Sequence, residues 1–362
     1  TSIIGPFGAG KTVLMNFLVS ESQKYQGKTF YFEKGRGSEV FFNAIGEKYM
    51  RVTDEIDKGN LYINPLQLPD NEVNREFLHD WIGYLIQFCD AASPDHVYRE
   101  VSDQDKELIR KAIDYNYSLK QEERMLSMVV PKIWDSASES YQRLSNWFAG
   151  GKFSKYFDSA LDNSGIDQAQ AIAFDVSYIV KNKAVTVPMV SYLLHVAENS
   201  LDGFEPALIV LDEAWDLIDN PAFTPKLQGW LARLINKNAA VIFATEAVEK
   251  AEQSAVTQQL TSLIKTQIFL PNPDADEGYK TVFGLNETEY EAIRSLDKKS
   301  RQFMLRHNTD SVIAKLSLEG FDRELAVLSS NEEKTKLMNE AKKEAGEDPQ
   351  SWLPKYFEKL NL

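Results

Sequence analysis

The chain has 362 residues, 43% hydrophobic and 26% charged, an ordinary balance for a globular protein and long enough for one large α/β domain with an insertion, or for two domains. Its 54 acidic residues outnumber 40 basic ones, and the net charge of −14 disfavours broad attraction to nucleic acid, leaving only a local basic lining as a route to it. No run of about 18 apolar residues reads as a membrane span and no signal peptide is visible, while the lone Cys89 excludes an intrachain disulfide framework and fits a reducing cytoplasm.

In chain order, Thr1-Ser2-Ile3-Ile4 reads as the tail of a strand running straight into a glycine-rich turn, so a preceding region is expected. Apolar residues at helical spacing follow from Thr12 to Gln23, then a strand at Lys28-Thr-Phe-Tyr-Phe-Glu33 and a second helix from Val40 to Tyr49. This alternation predicts a parallel sheet with helical crossovers. From Pro65 to Lys155 the strand signal is replaced by helical patterns over 72–89, 102–117, 122–133 and 136–148, a run closed by Gly150-Gly151. Strands return at Ala171–Val176, Ala207–Leu211, Ala239–Ala244 and Thr266–Leu270, with a late hairpin at 302–306 and 311–318. The expected architecture is therefore α/β. A RecA-like P-loop core occupies 1–64 and 161–330, an all-α lid is inserted at 65–160, and a charged helical tail covers 331–362.

Gly5-Pro-Phe-Gly-Ala-Gly-Lys11-Thr12 matches G-x-x-x-x-G-K-[ST] residue for residue. Backbone N–H groups of Gly5, Phe7, Gly8, Ala9 and Gly10 can wrap phosphate oxygens, and the helix that follows adds its positive end. Lys11 is expected to reach the β- and γ-phosphates of ATP, and the Thr12 hydroxyl to complete a Mg²⁺ site. Leu208-Ile-Val-Leu-Asp212-Glu213 then delivers two acids from a buried strand. Asp212 is suited to hold Mg²⁺ through water, and Glu213 to orient the attacking water. The reaction this implies is ATP hydrolysis, since no kinase-type catalytic loop appears. Thr245-Glu246 ends another strand beside the phosphates, where a polar residue senses the γ-phosphate or, alternatively, caps a helix. Arg233, Arg36 and Arg301 are candidates for an arginine acting in trans, against the plain alternative of solvated surface charge.

The four histidines, His79, His96, His195 and His307, lack metal-ligand spacing, and His195 in the helical stretch 190–201 reads as a packed or surface residue. Trp147-Phe148 and Tyr156-Phe157 have few basic neighbours and read as packing within the lid, not as a platform for nucleic-acid bases.

Several segments are more particular. They are Phe32-Glu-Lys-Gly-Arg-Gly37, Ile63-Asn-Pro-Leu66, Leu144-Ser-Asn-Trp147, Leu211-Asp-Glu-Ala-Trp215, Phe243-Ala-Thr-Glu246, Ile268-Phe-Leu-Pro-Asn-Pro273 and Asp348-Pro-Gln-Ser-Trp-Leu-Pro354. With the phosphate loop, in this order and spacing, they resemble the C-terminal half of the large transport ATPase of type IV secretion systems, the TraC/CagE-like VirB component. The resemblance implies a RecA-like motor with an inserted all-α domain, forming oligomers, commonly hexamers, at the cytoplasmic face of the bacterial inner membrane. It implies a role in channel and pilus assembly and in export, beside a coupling ATPase and inner-membrane channel proteins. Two departures stand out. Glu246 replaces the usual Gln, and Ile235-Asn236 replaces a frequent Arg-Lys, with Arg233 two positions earlier. A second carboxylate near a γ-phosphate is repulsive, so altered sensing is expected. Glu33 stands for the family's Asp after the second strand. Two other readings stay open. One is a DNA-pumping translocase of the HerA/FtsK kind, which the absence of a dense basic loop opposes. The other is a nucleotide-binding scaffold with little turnover, which intact Lys11, Thr12, Asp212 and Glu213 oppose.

Overall fold

Apolar runs too short for helices and flanked by turns become the strands of one sheet. The structure is a computed structural model that describes residues 1–53, 62–87, 100–160, 162, 164–166, 168–213, 223–246, 248, 257 and 263–362. Cys89, His96 and the Ala214-Trp215 end of one motif lie outside the described residues. The strands are β1 (Ser2–Ile4), β2 (Lys28–Glu33), β3 (Lys48–Arg51), β4 (Ala171–Asp175), β5 (Ala207–Leu211), β6 (Ala239–Thr245), β7 (Thr266–Phe269), β8 (Gln302–His307) and β9 (Asp310–Lys315). Their order in the sheet is β3-β4-β2-β5-β6-β1-β7-β8-β9. From β4 across to β7 every described pairing is parallel, and the β8–β9 hairpin adds an antiparallel margin. Residues of β2, β4 and β5 are buried almost without alternation, as strands covered on both faces must be.

One element differs from the sequence reading. The second helix is Glu39–Ala44 only. The chain then turns through Gly46, at φ +77°, and Lys48–Arg51 is the edge strand β3, not the end of a helix. A left-handed residue past the last helical turn ends a helix, and a four-residue strand is too short for its period to compete with that of the preceding helix.

The chain groups into two compact units. The first takes in Thr1–Tyr49, Ala169–Ser177 and Leu201–Leu362, the second Met50–Gln168 and Tyr178–Ser200. In the first unit, one apolar cluster gathers Leu14, Met15 and Val19 of the helix Lys11–Ser22 with Phe41, Phe42 and Tyr31. Another holds Ile4 and Phe269 against Tyr279, Phe283, Tyr290 and Ile293. The C-terminal helices, Asp322–Leu328, Glu332–Ala345 and Pro349–Lys359, bury Trp352 and Tyr356 against Val40. Asn16, fully buried on the helix after the phosphate loop, donates to the Leu328 carbonyl at 2.9 Å, and Ser330 N–H donates to the Gly37 carbonyl at 3.1 Å. The tail thus braces the elements that carry the site.

The second unit is helical. Its helices include Glu72–Gln87, Asp103–Ser118, Leu126–Ile133, Glu139–Leu144 and Lys183–Asn199. In Asp103–Ser118 the buried positions Asp105, Ile109, Ala112, Ile113 and Asn116 recur every three or four residues, and Ser102 caps the first turn. Trp81, Trp147 and Phe157 form its aromatic centre, and both indole N–H groups are satisfied, Trp81 by the Pro188 carbonyl at 3.2 Å and Trp147 by that of Leu85 at 3.0 Å. Trp147, Phe148, Tyr156 and Phe157 are all buried, so they pack within the unit. His195 stacks on Phe77 at 3.9 Å and hydrogen-bonds Asn74 at 2.8 Å, which makes it a packed histidine.

Candidate functional site

Parallel register brings the carboxyl ends of neighbouring strands level. Glu33 pairs with Asp175 across β2 and β4, Phe32 with Leu211 across β2 and β5, and Ile4 with Thr245 across β1 and β6. The residues just past those strands therefore share one edge: Gly5, Asp212 and Glu246. Asp212 N–H donates to the Phe32 carbonyl at 2.8 Å and Gly5 N–H to the Thr245 carbonyl at 3.2 Å, extending the ladder into the loops.

The loop Gly5–Gly10 leaves β1 and enters the helix Lys11–Ser22. Gly10 stands at φ +102°, a backbone conformation that a side chain rarely tolerates, and it turns the chain into the first helical N–H groups. Ala9 N–H closes back on the Pro6 carbonyl at 3.2 Å. Phe7, at the loop's tip, is 89% exposed. The result is a turn of backbone N–H groups at a helix N-terminus, able to cradle an anion.

Lys11 folds back over this loop. It is buried and its Nζ donates to the Gly5 carbonyl at 2.8 Å, with Glu213 Oε1 at 3.9 Å and Glu246 Oε2 at 3.8 Å. Asp212 is 8% exposed and its Oδ1 accepts from Glu213 N–H at 3.1 Å. Burial pushes its carboxyl up to about 6, against the pull of Lys11 and the Glu213 hydrogen bond. Glu213 takes a left-handed backbone at φ +53°, unusual for a non-glycine residue, and its side chain is nearly buried beside Lys11.

Two further residues shape the site. Glu33 is fully buried, its carboxylate accepting from Tyr49 Oη at 2.5 Å and from Ser38 N–H at 2.9 Å. Burial pushes it up to about 8, and Asp212 and Asp175 add to the rise while the hydrogen bonds from Tyr49 and Ser38 oppose it. The turn it holds sets Gly37 against Thr12, so closely that a Cβ at Gly37 would lie 2.7 Å from Thr12 Cγ2 and 3.2 Å from its Oγ1. Gly37 was visible in the sequence only as part of a motif. Its contact with Thr12 spans 25 positions and leaves no local pattern.

The structure brings together Gly5–Thr12, Asp212, Glu213 and Glu246. Of the three arginines, Arg36 and Arg233 make no described contact with that cluster, and Arg301 lies on another flank of the phosphate loop. Arg36 is bound to Glu39 by Nε and Nη2, both at 2.9 Å. Arg233 is exposed in the last turn of the helix Leu227–Asn236, which leads into the amino end of β6, opposite Glu246. Ile235, two residues on, is 72% exposed. Arg301 lies beside the chain's own phosphate loop, lining a cavity with Ala9 and Gly10.

A parallel sheet with an anion cradle after β1 and an acid pair after β5 defines the class: a P-loop nucleoside-triphosphatase core of the RecA-like kind. No protein-family model matches the chain. Among curated proteins it is 31% identical, over 99% of its length, to the type IV secretion system protein virB4 of Bartonella henselae, and 31% identical, over 98%, to PtlC of Bordetella pertussis. It spans 45% and 43% of those proteins, about half their length. Among solved structures, VirB4 of Thermoanaerobacter pseudethanolicus superposes with a TM-score of 0.64 over 87% of this chain and 88% of that one, at 17% identity. The plasmid coupling protein TrwB, solved with a non-hydrolysable ATP analogue, gives 0.54 over 88% and 84% at 11% identity, and shares the fold. The chain thus resembles, along its whole length, part of the VirB-type transport ATPase of type IV secretion systems.

Proposed function

We propose that this chain is an ATP-hydrolysing motor domain that energises a bacterial type IV secretion system, serving channel and pilus assembly and export. The observation that carries this reading is the position of Lys11, set between the anion cradle and the two carboxylates Glu213 and Glu246. The match to virB4 proteins over 99% of the chain supports the system it serves.

In this reading the N–H groups of Gly5–Gly10 and the helix end bind the β- and γ-phosphates, and Lys11 exchanges its carboxylate partners for phosphate oxygens. Thr12 and Asp212 suit Mg²⁺: an alcohol and a buried carboxylate are hard oxygen donors, and a carboxyl held up by burial gains from a nearby cation. The ion, when bound, neutralises charge on the phosphates. Glu213 orients and deprotonates the attacking water from the side of the terminal phosphate. TrwB, of the same fold, has been solved with ADP and Mg²⁺, which supports this choice of ligands. Glu246 senses the phosphate it partly opposes. Arg233, remote from its own site, serves that of a neighbouring copy in a homo-oligomer, a hexamer in this reading. The inserted segment 65–160, read from the sequence as all-α, serves in this reading as the lid whose movement couples hydrolysis to work.

Such a motor works at the cytoplasmic face of the inner membrane, beside the coupling ATPase and the channel proteins. Among the described residues no helix is long and apolar enough to cross a membrane, so contact there goes through partners or other parts of the protein.

The test is steady-state ATP hydrolysis against protein concentration, with and without DNA. Specific activity that rises with concentration and ignores DNA supports a motor with shared sites. Stimulation by DNA turns the reading to a DNA-pumping translocase, and nucleotide binding without turnover turns it to a scaffold.

A further inference from the structure

The chain passes from the first compact unit into the second after Tyr49 and again after Ser177, and it returns at Ala169 and Leu201. The returns lead into the amino ends of β4 and β5, the edge of the sheet away from Gly5 and Asp212. Both departures are tied instead to one turn, residues 33–38, at the carboxyl end of β2. Tyr49 Oη donates to Glu33 Oε1 at 2.5 Å, and Ser38 N–H donates to Glu33 Oε2 at 2.9 Å, which closes the turn on itself. Gly35 N–H donates to Ser177 Oγ at 2.8 Å. Ser177 is held in place to accept that bond, because its own hydroxyl and N–H both donate to Oδ1 of Asp175, a buried carboxylate at the end of β4. The other end of the turn is the segment that sets Gly37 against Thr12.

We infer that Tyr49 and Ser177 are positioning residues for Thr12, acting on it through the turn 33–38, and that this turn links the phosphate site to the two points where the chain leaves the core. The inference rests on reading Thr12 and Asp212 as donors to Mg²⁺ beside a bound nucleotide.

Three arguments carry it. The first is the strain of the turn. Arg36 stands at φ +60°, a conformation that a non-glycine residue keeps only where its surroundings impose it. The imposing bonds are those of Tyr49 and Ser38 to Glu33, of Gly35 to Ser177, and of Ser330 N–H to the Gly37 carbonyl. The second is the lack of slack. Not even a methyl group fits between Gly37 and Thr12, so a shift of the turn is passed directly to the threonine. Mg²⁺ demands near-ideal octahedral geometry, and a small displacement of one donor oxygen is costly. The third is reciprocity. If the bonds of Tyr49 and Ser177 raise the affinity of the site for the ion, binding of the ion must strengthen those bonds by the same factor.

The experiment measures ADP affinity twice for each protein, once with Mg²⁺ and once with the ion chelated, so that the ratio isolates what the ion adds. Ser177→Ala and Tyr49→Phe each remove one hydroxyl from a half-buried side chain, and a thermal unfolding transition checks that each variant is folded. The expected result is that affinity with the ion chelated stays within about twofold of the parent, while the ratio falls about three- to tenfold in both variants. Ser177→Thr, which keeps the hydroxyl, retains the parent ratio. Amide hydrogen exchange supplies a second readout: Mg²⁺ with ADP slows exchange over residues 34–38 and 178–182 in the parent and not in Ser177→Ala. A parent ratio kept by both folded variants, an equal loss of affinity with and without the ion, or exchange in the parent that ignores Mg²⁺ overturns the inference and leaves the Mg²⁺ reading standing. A parent whose ADP affinity is indifferent to Mg²⁺ removes that reading, and the inference with it.

Discussion

The ammonium of Lys11 lies 3.8 Å from Oε2 of Glu246, a residue from the end of a different strand and 235 positions away. On the sequence alone Glu246 reads as a second carboxylate that repels a γ-phosphate. The structure adds that it pairs with Lys11, the lysine proposed to bind that phosphate, in company with Glu213 at 3.9 Å. Glu246 is 44% exposed at its side chain, so the pair is partly screened, and its effect on affinity is expected to be modest.

Replacing Glu246 by Gln removes both the repulsion and the competition for Lys11 while keeping a polar side chain. Nucleotide affinity is expected to rise about three- to tenfold, read by titration with a fluorescent ATP analogue. Unchanged or weaker binding would show that the carboxylate does not compete with phosphate.

Lys11→Ala takes away the charge that spans the loop and the acids. A loss of at least about a hundredfold in kcat/KM for ATP is expected, with much of it in KM. The chain should still fold, because Lys11 contributes one backbone hydrogen bond and two long ion pairs to the described contacts.

Gly37→Ala tests the contact with Thr12. A Cβ there would meet Thr12 Cγ2 at 2.7 Å, so the threonine or the turn must shift. The expected signature is a raised Mg²⁺ requirement, about tenfold or more in the Mg²⁺ concentration for half-maximal turnover, with a stability loss of roughly 1–3 kcal/mol. A variant with lowered stability but an unaltered Mg²⁺ requirement would separate Gly37 from the site.

Glu33 gives a pH dependence of defined sign. Its carboxyl is pushed from an ordinary 4.5 up to about 8 by burial, with Asp212 just past β5 and Asp175 of β4 adding to the rise and the donors Tyr49 and Ser38 opposing it. The folded chain therefore holds a proton that the unfolded chain has released, and stability falls as pH rises from 4.5 through 8. Chemical unfolding at a series of pH values should show this fall, with a limiting slope of about 1.4 kcal/mol per pH unit from this one group. Glu33→Gln should flatten it, since the amide keeps a hydrogen-bonding group and cannot ionise.

Much of the fold was legible because its strands carry their signal locally. β2 and β5 occupy the expected residues, and β4, β6 and β7 differ by a residue or so at one end. The phosphate loop was legible for the same reason, all its parts lying within eight positions. β3 was hidden behind Gly46. The helix Lys183–Asn199 begins earlier than the expected 190–201 and contains Pro188, a residue that disfavours a helix interior. The remaining features are tertiary. Gly37 meeting Thr12, Glu246 meeting Lys11, and residues 298–318 closing a cavity beside Gly10 depend on strand order and register, which no local period encodes.

The most direct test of the central claim is ATP turnover by Glu213→Gln alongside ATP binding by the same protein. If Glu213 orients the attacking water, binding stays within a few-fold of the parent while kcat falls by about a hundredfold or more. Turnover close to the parent's, with binding intact, would contradict the account by showing that the acid beside Lys11 takes no part in hydrolysis.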